Sequence, residues 1–173
     1  MKKSVLACLF AISGGLAGNA LAQEVTLHKV SAEGIGEAIG TVDIEQTNYG
    51  LLFTPKLNGL TPGVHGFHVH ANGSCEPGVS EGKTVAAGAA GGHLDPQKTG
   101  KHLGPYGEGH LGDLPAIYVN EKGSADYPVL APRLKSLDEI KGKALMVHIG
   151  GDNHADHPQP LGGGGGRYAC GVI

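Results

Sequence analysis

Apolar residues in this chain alternate with polar ones over short runs, and nowhere do they keep the period of about 3.6 residues that an amphipathic helix needs. Strands joined by turns are the remaining option, and a content of 31 glycines with no tryptophan points the same way. Candidate strands are Val25 to Ser31, Ala38 to Glu45, Leu51 to Leu57, Val64 to His70, Leu114 to Asn120, Ala125 to Leu130, Ala144 to Ile149 and Gly166 to Val172. Asn48-Tyr49-Gly50, Thr61-Pro62-Gly63 and Glu121-Lys122-Gly123 supply turns. Ser136-Leu137-Asp138-Glu139 has the form of a capping box and predicts one helical turn inside a connection. Eight strands with turn-rich connections fit a sandwich or a flattened barrel, and composition does not choose between them.

Two segments interrupt the strands: Ala71 to Asp113 and Gly150 to Gly165. Connections longer than about 15 residues in a compact domain are usually functional or disordered. The first contains Cys75, His93, His102, His110 and Asp113, so a disulfide and a metal are the available staples for a loop with little apolar surface to bury.

The N-terminus reads as an export signal over residues 1–22. Met1-Lys2-Lys3 is a positive start, Val5 to Leu16 an apolar stretch, and Ala20-Leu21-Ala22 a small-x-small cleavage site, so the mature chain should begin near Gln23. The stretch is too short to span a membrane and is broken by Ser13, Gly14, Gly15 and Gly18. Cys8 comes too early in it for a normal lipoprotein signal. Residues 23–173 then form one domain. Loss of Lys2 and Lys3 moves the formal charge from −3 to −5, which argues against nucleic acid as a partner. Loss of Cys8 leaves Cys75 and Cys170 as a pair in an oxidising compartment. They are expected to be bonded; the alternative is two buried thiols.

In Val64 to His70, strand alternation puts His68 and His70 on one face, with Phe67 and Val69 on the other. The same parity sets Leu145 and Val147 toward the core and His148 outward, so a third imidazole can join the first two. His65 falls on the opposite face and reads as structural, bonded to backbone. The second cluster is His93, His102, His110 and Asp113 within the long loop, and three nitrogens with one carboxylate oxygen suit tetrahedral zinc. Neither cluster is a short stereotyped signature, so the residues support metals without naming a reaction.

Gly66-Phe67-His68-Val69-His70, Gly91-Gly92-His93-Leu94-Asp95-Pro96 and Gly109-His110-Leu111-Gly112-Asp113-Leu114 closely resemble the exported bacterial branch of the copper,zinc superoxide dismutases. Met146-Val147-His148 and Gly166-Arg167-Tyr168-Ala169-Cys170-Gly171-Val172 extend the likeness over essentially the whole mature chain. The resemblance implies an eight-stranded Greek-key β-barrel, an immunoglobulin-like sandwich with two long functional loops over the metals. It implies one copper ion held by His68, His70, His93 and His148, and one zinc ion held by His93, His102, His110 and Asp113. His93 would be a shared imidazolate, which two dications can enforce. The implied activity is disproportionation of superoxide by Cu(II)/Cu(I) cycling, protecting the cell envelope, in the periplasm, free of the membrane after signal cleavage, as a monomer or homodimer. In the family's scheme His93 leaves copper on reduction, takes a proton and returns it to the developing peroxide.

The same likeness makes Arg167 an anion-guiding residue beside the open copper position and Asp152 an acceptor for one histidine of each site. The Gly150 to Gly165 loop lacks lysine, unlike the eukaryotic branch, so Lys83 is the candidate for substrate steering. His28, His154 and His157 match no family ligand and read as surface residues or a weak metal-capture site. The run Gly162 to Gly166 reads either as flexible linker or as close-packed loop. Two other classes compete with the enzyme: a copper-storing or copper-delivering protein, which needs neither the bridge nor Arg167, and a zinc hydrolase, which needs an open zinc position and a general base beside it.

Overall fold

The computed structural model describes residues 22–80 and 82–173. The expected leader, but for Ala22, lies outside the described residues. The strands are β1 (Ala22–Ser31), β2 (Gly34–Thr47), β3 (Gly50–Leu57), β4 (Gly63–His65), β5 (Phe67–His70), β6 (Gly78–Ser80), β7 (Lys83–Val85), β8 (Ile117–Val119), β9 (Val129–Ala131), β10 (Ala144–His148) and β11 (Arg167–Val172). Seven form one antiparallel sheet in the order β5-β10-β11-β1-β2-β3-β9, and β4 pairs with β8. Because β4 runs on into β5, the small sheet continues the large one around the core.

The expected run Val64 to His70 is cut at Gly66, whose amide bonds Gly150 O while its carbonyl accepts from the His148 amide. Counting β4 and β5 as one strand and setting aside the β6–β7 hairpin recovers the eight strands of the sequence reading. That hairpin, within the long loop, was not expected. Two expected strands are shorter than their apolar runs: Leu114 to Asn120 narrows to β8, and Ala125 to Leu130 keeps only an isolated bridge, Leu57 to Ala125, ahead of β9. The capping box forms: Glu139 Oε2 accepts the Ser136 amide at 2.9 Å, and one 3-10 turn follows.

Strand alternation fills the core as its period of 2 requires. Phe67 and Val69 of β5 and Leu145 and Val147 of β10 are fully buried, with Phe53 set edge-on to Phe67 at 5.7 Å between ring centres. The opposite face of β5 and β10 is covered too. Pairing of His68 with Met146 and His70 with Ala144 leaves these four side chains together under the first long loop. Ala144 and Met146 pack there against Ala87, Ala90, Cys75 and Cys170. The Cys75–Cys170 disulfide is formed, closing a loop with a sequence separation of 95. The loop is therefore glued by a small apolar cluster as well as by the disulfide, which the sequence reading did not credit.

Candidate metal centre

His68 and His70 project from the outer face of β5, and His148 ends β10 beside them. Gly66 stands opposite His148, and a Cβ there would lie 3.1 Å from His68 Cε1. The two-apart spacing on one strand and the ladder to the next thus set three imidazoles on one wall. His93 and Asp113 come from the loop, yet each forms a β-bridge to the same strand: His70 with His93 and His68 with Asp113. His102 and His110 lie on the lobe between them.

The side chains converge into two groups. One potential ligand atom from each of His68, His70, His93 and His148 lies within 4.8 Å of the others, and the same holds for His93, His102, His110 and Asp113. All seven residues are buried. His93 belongs to both groups, its ring centre 4.0 Å from that of His68 and 5.3 Å from that of His110.

Hydrogen bonds assign the nitrogens. His68 Nε2 lies 2.7 Å from Asp152 Oδ2, leaving Nδ1 buried without a partner. His70 Nδ1 donates to Gly91 O and His148 Nδ1 to Gly165 O, so the two Nε2 atoms face one another at 3.3 Å. With the other nitrogen of each ring donating, both face as lone pairs. His93 Nδ1 is 2.8 Å from Asp113 Oδ1, and its buried Nε2 is unpartnered. His102 Nε2 bonds Asp152 Oδ1 at 2.7 Å. His102 Nδ1 approaches Asp113 Oδ2 at 3.0 Å, an ion-pair distance, but neither atom has a hydrogen-bond partner. Both atoms are thus buried side by side with no hydrogen bond between them.

Buried polar atoms in native proteins are nearly always paired. Four such orphans in one place, three imidazole nitrogens and a carboxylate oxygen, fit metal dications. Imidazole-rich donors suit copper, and three imidazoles with a carboxylate suit a closed zinc site.

Burial first, then the neighbouring rings, lower the His68 pKa to about 3 against the pull of Asp152. Burial likewise brings His148 to about 4 and sets His70 and His93 below the usual range. These rings stay neutral at pH 7, as ligands must. Burial opposes the charged form of His102 as well, but Asp113 and Asp152 together outweigh it and hold that ring at about 9. Burial would raise Asp152, yet hydrogen bonds from His102 and His68 keep its carboxyl far below the ordinary value.

Residues 38–173 match the family model for copper/zinc superoxide dismutase (SODC). The chain belongs to the copper/zinc superoxide dismutase family. Superoxide dismutase [Cu-Zn] 2 of Salmonella typhimurium strain LT2 is 61% identical over 175 residues, covering 100% of this chain and 99% of the relative. The Cu/Zn superoxide dismutase from Brucella abortus superposes with a TM-score of 0.87 at 53% identity, covering 88% of this chain and 99% of that one. The monomeric copper, zinc superoxide dismutase from Salmonella enterica gives 0.80 at 64% identity, again over 88% and 99%. The sheet is the family's Greek-key β-barrel, and the activity is disproportionation of superoxide with copper and zinc as the metals.

The other residues singled out in the sequence stand as follows. The ring nitrogens of His65 lie 2.7 Å from His148 O and 2.8 Å from Thr61 O, backbone contacts that keep the ring out of both ligand groups. Arg167 opens β11 and bonds Ala87 O and Gly91 O. It lines a cleft of about 360 Å³ with Val79, Ser80, Val85, Gly88, Gly91 and Gly92, and is the charged member of that set. Lys83 is exposed on the hairpin and does not line the cleft. His28, His154 and His157 join neither metal group among the described residues.

The glycine run is close-packed. A Cβ on Gly162, at φ +68°, would fall 2.0 Å from Asp152 Oδ1 and 2.8 Å from His102 Nε2. Sequence reasoning left the run that begins at Gly162 open between linker and close-packed loop, and passed over Arg133 and Asp156, whose side chains bond backbone near His110 and at His102. No local pattern marks Arg133 or Asp156.

Proposed function

We propose that His68, His70, His93 and His148 hold the copper, that His93, His102, His110 and Asp113 hold the zinc, and that Arg167 and His93 carry the dismutation. The single observation that supports this most is the ring of His93, standing in both ligand groups with Nδ1 at Asp113 and a buried Nε2 without a hydrogen-bond partner. The net reaction takes two superoxide ions and two protons to oxygen and hydrogen peroxide. When bound, copper would supply the one-electron Cu(II)/Cu(I) exchange, with zinc as a redox-silent dication.

The residues do the rest. Arg167, held by two carbonyls, offers fixed positive charge in the lining of the cleft, where a small anion is drawn in and oriented. Nε2 of His93 is the atom that takes a proton and returns it to the outgoing peroxide. Asp113 restrains the other side of that ring, and Asp152 bonds one histidine of each group, His68 and His102, orienting both rings. Lys83, two residues from Val85, adds positive potential near the rim; a Lys83→Glu change that left the rate and its salt dependence untouched would remove it from this scheme.

Residues 1–22 act as a periplasmic export signal, and the mature domain is residues 23–173. The formed disulfide supports an oxidising compartment. The acidic mature chain works without a nucleic-acid or membrane partner. It acts as a monomer, a reading supported by the relative from Salmonella enterica described as monomeric. Reconstitution with copper and zinc, followed by superoxide decay, tests the whole assignment. His148→Ala should abolish nearly all turnover, and Arg167→Ala only part of it. Tight copper binding by the wild type without turnover would favour the copper-storage reading instead.

A further inference from the structure

The four residues around the zinc position are not held alike. His93 and Asp113 are bridged to β5. His102 and His110 sit on the lobe between them and bond each other's surroundings, as in the His110 amide to Lys101 O at 2.9 Å, but the lobe has no strand ladder to the barrel among the described residues. Two side chains from distant segments supply what is missing. Arg133 donates Nη1 to His110 O at 3.0 Å and Nη2 to Gly109 O at 2.9 Å. Asp156 accepts the His102 amide on Oδ2 at 2.9 Å and the Leu161 amide on Oδ1 at 3.2 Å.

Both side chains stand on firm ground. Arg133 lies between Pro132, packed so closely on Gly50 that a Cβ there would be 2.8 Å from Pro132 Cα, and buried Leu134, whose carbonyl accepts the Leu51 amide. Its fork therefore extends from the barrel wall. Asp156 sits where Gly162 donates to Ala155 O, closing the second loop on itself. Charge-assisted bonds of this kind are roughly twice as strong as neutral ones, and a fork spanning two successive carbonyls fixes direction as well as distance.

We infer that Arg133 and Asp156 are positioning residues for the zinc site: each pins the backbone of one loop-borne ligand, Arg133 that of His110 and Asp156 that of His102, so that both rings meet Asp113 and His93 before metal arrives. Neither touches the metal position. The inference rests on the zinc assignment above. Its consequence is selective: loss of either clamp loosens the zinc side and leaves the strand-borne histidines as they were.

The test is zinc titration of the full mature chain against a chromophoric chelator, with the visible spectrum of the cobalt(II)-substituted protein as a record of tetrahedral geometry. Arg133→Ala and Asp156→Ala should each weaken zinc about 10- to 100-fold, the range for lost outer contacts to metal ligands, and should distort the cobalt spectrum. Arg133→Lys, able to reach one carbonyl of the two, should fall between. Copper affinity should stay at the wild-type value. Wild-type zinc affinity in the folded variants overturns the inference, as does an equal loss at both metals, which marks general destabilisation. Should Arg133→Ala fail to fold, Asp156→Ala on its surface loop and Arg133→Lys decide the matter. A wild type without a tetrahedral cobalt spectrum would sink the zinc assignment itself; a normal wild type with unchanged variants would sink only the clamps.

Discussion

Two walls of the same centre are built by different means. His68, His70 and His148 stand on β5 and β10, where the ladder that pairs Met146 with His68 fixes their spacing whether or not a metal is present. His102 and His110 stand on a loop whose order comes from a disulfide, a patch of buried alanines and side-chain bonds from afar. The strand wall is preorganised by backbone hydrogen bonding, and the loop wall by tertiary contacts. A loop is the cheaper place to vary a ligand and the easier place to lose one.

The largest break in this contrast should come from the disulfide. Cys75→Ser removes the covalent tie between loop and β11, and loss of a native disulfide from a domain of this size costs about 2 to 5 kcal/mol. Equilibrium denaturation of the metal-free variant checks the magnitude. Hydrogen exchange checks the location: amides of residues 72–112 should lose protection, while β5 and β10 keep theirs. Uniform loss across both walls would show that they fold as one unit.

A smaller break should follow Gly162→Ala. The added Cβ meets Asp152 Oδ1 and the backbone is held at φ +68°, so strain of about 1 to 3 kcal/mol is expected. Asp152 bonds both walls, through His68 and His102. Zinc affinity should therefore fall along with stability, measured by chelator competition and denaturation. A stability loss with unchanged metal affinity would mean that Asp152 does not couple them.

Acidity sharpens the comparison most gently. On the strand wall, burial lowers His68 to about 3 and His148 to about 4. The unfolded chain then binds more protons than the fold below about pH 6.5, and stability of the metal-free protein should drop as pH falls from about 6.5 toward 4. On the loop wall, His102 is raised to about 9 against burial, by Asp113 and Asp152. Its contribution is fully present below about pH 6.5 and is lost as pH rises through 9. Denaturation of the metal-free protein across this range should show a maximum near neutrality. A curve still rising above pH 7 would place His102 outside its two carboxylates.

The same division explains what was legible in the sequence. Strand parity is local, so His68, His70 and His148 were assignable to one face from their own neighbours, with His65 set apart. The capping box at Ser136 was legible for the same reason. On the loop wall, spacing picked out His93, His102, His110 and Asp113 as a cluster, but only the family resemblance made His93 the shared member. Arg133, Asp156 and Gly162 act across 23, 54 and 10 residues of chain, through contacts that exist only once the barrel has brought the segments together. The glycine run stayed ambiguous because glycine marks both loose linkers and tight approaches, and the carboxylate that decides between them is ten residues away.

Loading Cu(II) into both positions and recording the electron paramagnetic resonance signal at low temperature tests the sharing of His93 most directly. A single imidazole ring bonded to both ions should couple their spins and suppress most of the signal. Two full, independent Cu(II) signals would mean that no side chain joins the sites, and the mechanism assigned to His93 would not stand.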